Sequence, residues 1–154
     1  MVMKRERFEA TVEGRRNGGI AIRIPFDPDA SWGEKDRHYV SGSIHGMPFR
    51  GRLVQHGVDP YIELGPSWCR AGVVTAGDRV GVIIAPEGPQ FDDLPADFRD
   101  ALAADPAARR SFESLATFYR NGYVRSIDDA RRPDTRARRI GETLEALRPR
   151  QDAN

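Results

Sequence analysis

The stretch RVGVIIAPEGPQFDDLPADFRDAL, residues 79–102, contains the change of character that decides the fold. In its first part Val80, Val82 and Ile84 alternate with Arg79, Gly81 and Ile83, the period of a strand with one face buried. Ala85-Pro86-Glu87-Gly88-Pro89 reads as a linker. From Leu94-Pro95 onward the period is helical: Pro95 stands at a first helical position, and Phe98 and Leu102 lie one turn apart.

Upstream of this stretch the strand pattern repeats. Phe8, Ala10 and Val12 share one face, and Arg15-Arg16-Asn17-Gly18-Gly19 supplies a hairpin turn. Ile20, Ile22, Ile24 and Phe26 return along the next strand until Pro25 and Pro28 end it. Asp29 to Gly33 fits one helical turn closed by glycine, and the charged residues Glu34 to Arg37 read as an exposed loop. Strands follow at His38–Ile44, with Gly42 marking a close approach or bend, around Phe49, Gly51 and Leu53 after the His45-Gly46 turn, and at Tyr61–Leu64. Pro66 to Ala71 reads as a short helical turn.

Downstream, Asp105-Pro106 caps a second helix with Ala108, Phe112 and Leu115 as its stripe. A third begins near Thr117 with Tyr119, Tyr123, Ile127 and Ala130 on one side. A fourth begins near Pro133 with Ala137, Ile140, Leu144 and Leu147 at helical spacing. The expected class is α+β: a small N-terminal β-barrel over residues 1–88 and a C-terminal helical appendage over 89–154. Six short strands joined by tight turns favour a closed or partly open barrel.

Composition bounds the function. A chain of 154 residues with a net charge of +1 is no generally basic nucleic-acid binder, so any electrostatic targeting must come from local asymmetry. Cys69 is the single cysteine, which excludes an intrachain disulfide and a thiolate metal cluster. No apolar run follows the basic residues at the start, and none approaches the ~20 residues of a membrane helix. The default reading is a cytoplasmic, bacterial-type protein without membrane insertion, monomeric or homodimeric.

Particular residues carry a resemblance. Phe8-Glu9-Ala10, Ile24-Pro25-Phe26-Asp27, Ser41 to Gly51 and Ala76-Gly77-Asp78-Arg79-Val80 resemble a bacterial and archaeal domain of unknown function. Leu94-Pro95-Ala96-Asp97-Phe98, the Ala101–Phe112 stretch and Ala130 to Ile140 resemble the YdeI or OmpD-associated tail, often labelled bacteriocin-protection. The resemblance implies a double-split β-barrel, an architecture shared with AbrB- and MazE-like transcription factors, followed by a helical tail. It implies no reaction, and the bacteriocin-protection label is a family name without a mechanism. Gln55 to Pro60 departs from the glycine-rich turn of that pattern.

The most function-like segment is Arg131 to Arg139. On a helix starting near Pro133, Arg132, Arg136 and Arg139 share a face opposite Ala137 and Ile140, so Arg132, Thr135, Arg136 and Arg139 are the candidate binding residues. The competing reading pairs these arginines with nearby carboxylates, Asp128 before them and Glu142 and Glu145 after. Nine Arg face five Asp and Glu between Arg120 and Arg150, a modest excess.

Trp32 and Trp68 are read first as plugs at barrel ends and second as walls of a small-ligand mouth. His38, His45 and His56 form no close ligand pair, and no GxSxG elbow or phosphate-binding glycine pattern occurs. The expectation is therefore a non-enzymatic interaction protein without metal or cofactor, its barrel a scaffold and its Arg-rich last helices a docking surface for a protein partner. Nucleic-acid binding is the alternative, and a small-ligand barrel or unrecognised enzyme the third.

Overall fold

A computed structural model describes residues 4–149. Eight strands and six α-helices occur among them: β1 (Glu6–Thr11), β2 (Glu13–Gly14), β3 (Ile20–Arg23), α1 (Pro28–Trp32), β4 (Tyr39–Ile44), β5 (Met47–Arg52), β6 (Val54–His56), β7 (Asp59–Leu64), α2 (Pro66–Gly72), β8 (Arg79–Pro86), α3 (Ala96–Ala103), α4 (Pro106–Glu113), α5 (Thr117–Asp128) and α6 (Pro133–Leu147). They divide into two compact units. Residues 4–34 and 38–86 form a sheet unit, and residues 35–37 with 87–149 form a helical unit.

The strands form two four-stranded antiparallel sheets, ordered β1-β8-β4-β5 and β2-β3-β7-β6, and not the closed barrel expected from strand spacing. The ladders divide at two single residues. Val12, between β1 and β2, bonds through its amide to Asp78 O at 2.9 Å, and Leu53, between β5 and β6, bonds to His38 O at 2.9 Å. Each diverts one strand from the first sheet to the second, so the alternation of the sequence runs on through a break in pairing.

Alternation places Val80, Val82 and Ile84 of β8 in the core with Ile20, Ile22, Val40, Ile44 and Ile62 from the other strands. Burying each of these side chains contributes about 1.5–3 kcal/mol. Gly42 is fixed by packing: a Cβ there would lie 1.8 Å from the Ile83 carbonyl oxygen, so β4 and β8 approach only because the side chain is missing. His45 (φ 52°) and Gly46 (φ 78°) make the β4–β5 turn, as the sequence suggests. The Gln55–Pro60 stretch forms β6, a turn at Gly57 (φ 63°), and the start of β7.

In the helical unit, Asp105 caps α4 by accepting from the Ala108 amide at 3.2 Å. Phe98 and Phe112 are fully buried and meet edge to face with centroids 5.3 Å apart, joined by Leu94, Leu102, Ala108, Ile127, Ile140 and Leu147. The segment expected as an exposed loop is partly internal here: Lys35 is buried, and Asp36 pairs with Arg110 at 2.9 Å while its amide donates to Ser114 Oγ.

The stripe of α5 also differs from expectation. The interior positions are Arg120, Tyr123, Val124 and Ile127, a turn-by-turn series that rotates Tyr119 outward by about 100°. Arg120 is only 2% exposed. Its Nε donates to Leu115 O (3.0 Å), its Nη1 to Pro89 O (3.0 Å) and its Nη2 to Glu87 O, so one guanidinium fastens the residues preceding the helices to α5. Gly88, at φ 85°, leaves room for it. No helix among the described residues is long and apolar enough to cross a membrane.

Candidate functional site

The arginines of α6 are largely committed to the chain itself. Arg136, 23% exposed, grips Asp97 of α3 with both prongs of its fork, Nε to Oδ2 at 2.8 Å and Nη2 to Oδ1 at 2.9 Å. Its Nη1 donates to Ile127 O at 2.9 Å, and Arg139 Nη1 donates to Ser126 O at 2.6 Å. The bond to Ser126 O satisfies a carbonyl in the last turn of α5, and the bond to Ile127 O adds a second donor to one that also accepts the Ala130 amide at 3.1 Å. The hydrogen bond from Arg136 holds the Asp97 carboxyl below its ordinary value, and Asp97 in turn raises the guanidinium. The carboxylate expected beside Arg132, Asp128, lies instead 3.9 Å from Arg136.

Arg132 and Thr135 complete the four residues singled out from sequence. Arg132 is exposed and 3.5 Å from Asp134, a surface pair worth about 0–1 kcal/mol. Thr135 is half-buried, its amide donating to Asp134 Oδ1 at 3.0 Å. Arg138 pairs loosely with Glu142 one turn on, at 3.8 Å. The structure thus separates the segment into two internal clamps, Arg136 and Arg139, and outer arginines available to solvent.

Sequence reasoning missed the residues that stand out most. Phe118 and Tyr119, in the first turn of α5, are 80% and 59% exposed, with rings edge to face at 5.4 Å. Helical spacing puts Gly122 and Arg125 on the Phe118 face, one and two turns further along. Arg125 and Arg131 carry no ion pair among the described residues. The available signal was a phase conflict, since adjacent aromatics at 118 and 119 cannot both join a stripe that contains 123 and 127.

The two tryptophans occupy different places in the sheet unit. Trp32 is buried, its indole N–H donating to Lys4 O at 2.7 Å and its ring edge-on to Phe26 at 5.2 Å. Buried in this way, Trp32 serves as part of the sheet unit's core. Trp68 is half-buried, donates to Pro48 O at 2.9 Å, and lines an open cleft of about 590 Å3 with Pro48, Phe49 and Arg50.

His38 Nε2 lies 2.6 Å from Asp29 Oδ1, and His56 Nε2 is hydrogen-bonded to Glu63, which also pairs with Arg15 at 3.2 Å. Among the described residues no group of three His, Cys, Asp or Glu side chains is placed to hold a metal ion. Beside α2 lies a larger cavity of about 720 Å3, between the Asn17-Gly18-Gly19 turn and Val73-Val74-Thr75-Ala76. Val73 caps α2 in the left-handed region (φ 55°, ψ 43°) while 81% exposed, a conformation a β-branched residue adopts at a cost of about 1–3 kcal/mol.

Comparison with known families agrees with this division. Residues 8–84 match the domain of unknown function DUF1905, and residues 93–149 match the family described as bacteriocin-protection, YdeI or OmpD-associated. No curated protein matches the chain. With half its length in the first match and most of the helical unit in the second, the chain belongs to the YdeI/OmpD-associated family, as a DUF1905 domain followed by a YdeI-type helical region.

Proposed function

We propose that the protein is a non-enzymatic interaction module that docks an acidic, apolar-containing segment of a partner protein on the exposed face of α5. The observation that carries this is the aromatic pair Phe118 and Tyr119, 80% and 59% exposed and packed edge to face on each other, on a helix whose Phe118 face carries Arg125 two turns further on. Exposed tyrosine, phenylalanine and arginine are the side chains that anchor protein interfaces, because large rings bury area at small entropic cost and guanidinium forks fit carboxylates. Arg125 gives the face its sign, Arg131 and Arg132 add positive charge beyond the end of α5, and the clamps of Arg136 and Arg139 on Ile127 O and Ser126 O hold α5 and α6 together as its support. The partner is expected to be acidic because the arginine excess of residues 120–150 is only partly neutralised within the unit.

The test is a photo-crosslinking residue in place of Phe118, introduced in cells. Adducts mapping to an acidic segment of another protein, and lost at high salt, support the reading. Adducts to the chain itself alone, or none, overturn it. Aromatics beside arginines also suit single-stranded nucleic acid, where bases stack on rings. Fluorescence anisotropy with mixed-sequence DNA and RNA across a salt series separates the two. Binding whose log affinity falls linearly with log salt, and which Phe118→Ser and Tyr119→Ser together abolish, assigns the face to nucleic acid.

A further inference from the structure

We infer that the sheet unit holds a second, independent site, the cavity beside α2, which binds a small aliphatic carboxylate. Its charge comes first. Arg15 and Arg70 line it and no carboxylate does. Arg15 is already neutralised by Glu63 at 3.2 Å, whereas Arg70 reaches only the Ser67 hydroxyl, at 3.3 Å, among the described residues. Asn17 uses its side-chain oxygen to accept from the Gly19 amide at 2.8 Å, which leaves its amide nitrogen as a further donor in the lining. The Arg70 guanidinium is the charged donor that suits a carboxylate.

The body of the ligand follows from the remaining lining. Pro66, Val73, Val74 and Ala76 are aliphatic, and no aromatic ring lines the cavity, so it offers a chain a surface and offers a base or flat ring nothing to stack on. A volume of about 720 Å3 lies in the range of small-molecule sites. Val73 supplies the independent observation. An exposed, β-branched residue in left-handed backbone is strained without any gain in burial, and such strain clusters at ligand sites. Covering Val73 with an alkyl chain returns that area to an apolar environment. The site lies wholly in residues of the sheet unit, so it stands or falls apart from the α5 docking face.

The experiment is a titration of the full chain with octanoate, followed through the backbone amides of Gly18, Gly19 and Val73 to Ala76 by heteronuclear NMR. Octylammonium and inorganic phosphate are run as parallel probes. The expected result is saturable shifts of those amides with octanoate in the millimolar range or tighter, weakened about tenfold or more in Arg70→Gln, which removes one charge-assisted hydrogen bond. Arg70 is exposed, and the spectrum of the variant itself reports whether the unit is folded. Equal shifts with octylammonium would show that no charge is read, and phosphate binding as well as octanoate that the apolar lining is idle. Either result, absence of saturable shifts, or an unchanged Arg70→Gln overturns the assignment.

Discussion

The two units of this chain solve the same problem with different materials. The sheet unit buries Ile22, Val40, Ile44, Val82 and Ile84 completely or nearly so and is held by ladders around that core. The helical unit has a smaller apolar core, and the buried polar side chains among the described residues, Lys35, Arg120 and Thr143, all belong to it. Its helices are tied by guanidinium groups: Arg120 to three carbonyls, Arg136 to Asp97 and the end of α5, Arg139 to Ser126, Arg148 to Asp105 at 2.8 Å. Hydrophobic burial is indifferent to pH and charge, whereas charge-assisted hydrogen bonds are not. The helical unit is therefore where single charge changes matter, and the helical unit also carries the proposed docking face.

The comparison breaks first at Arg120. Arg120→Met keeps much of the side-chain volume but leaves the Leu115, Pro89 and Glu87 carbonyls without their donor, and the expected cost is about 3–5 kcal/mol. Urea denaturation followed by helical circular dichroism measures it. Amide exchange should show protection falling across α5 and α6 while β8 and β3 keep theirs. Loss of protection in both units alike would mean that the two fold as one and that the contrast drawn here is only geometric.

That residue also shows why some of the molecule was legible in sequence and some was not. β8 could be read because Val80, Val82 and Ile84 report a period of two without help from any other segment, and α4 because Asp105-Pro106 is a local capping signal. Arg120 could not, since amphipathic reasoning sends a charge outward and two of the three carbonyls that hold it inward belong to residues more than thirty positions earlier. The same blindness hid the division into two sheets, because alternation continues through Val12 and Leu53 where the pairing changes.

For the candidate site, the Arg-rich segment was visible, but its partition was not. Arg136 meets a carboxylate 39 residues away, a pairing that no spacing rule contains. The phase conflict at Phe118 and Tyr119 was readable, but that both rings face outward is settled only once Arg120 is known to occupy the interior phase.

A smaller effect sharpens the contrast through pH. The Arg136 hydrogen bond depresses the Asp97 carboxyl below its ordinary 3.8, and Arg148 does the same for Asp105. The native state then binds fewer protons than the unfolded chain in this window. The stabilisation is complete above pH about 4 and is lost as pH falls through the depressed native values. Because Asp97 is substantially exposed, solvent screening limits its share to about 1 kcal/mol. Asp97→Asn should lower stability at neutral pH by about that amount and flatten the acid limb of the helical unit's urea midpoint below pH 4. An acid limb as steep in Asp97→Asn as in the parent would place the titrating group elsewhere.

The smallest change should act in the opposite direction, and in the other unit. Val73 sits at φ 55° with its side chain in solvent, so replacing it relieves strain without removing burial. Asparagine tolerates left-handed backbone, and unlike glycine it does not enlarge the freedom of the unfolded chain, so Val73→Asn should stabilise by about 1 kcal/mol. For a chain of this size that corresponds to a melting temperature higher by about 2–4 °C. The gain should appear in the protection of α2 and its neighbours and leave α5 and α6 unchanged. A stabilised Val73→Asn that also loses octanoate-induced shifts would tie the Val73 side chain, and not only the backbone it sits on, to ligand binding.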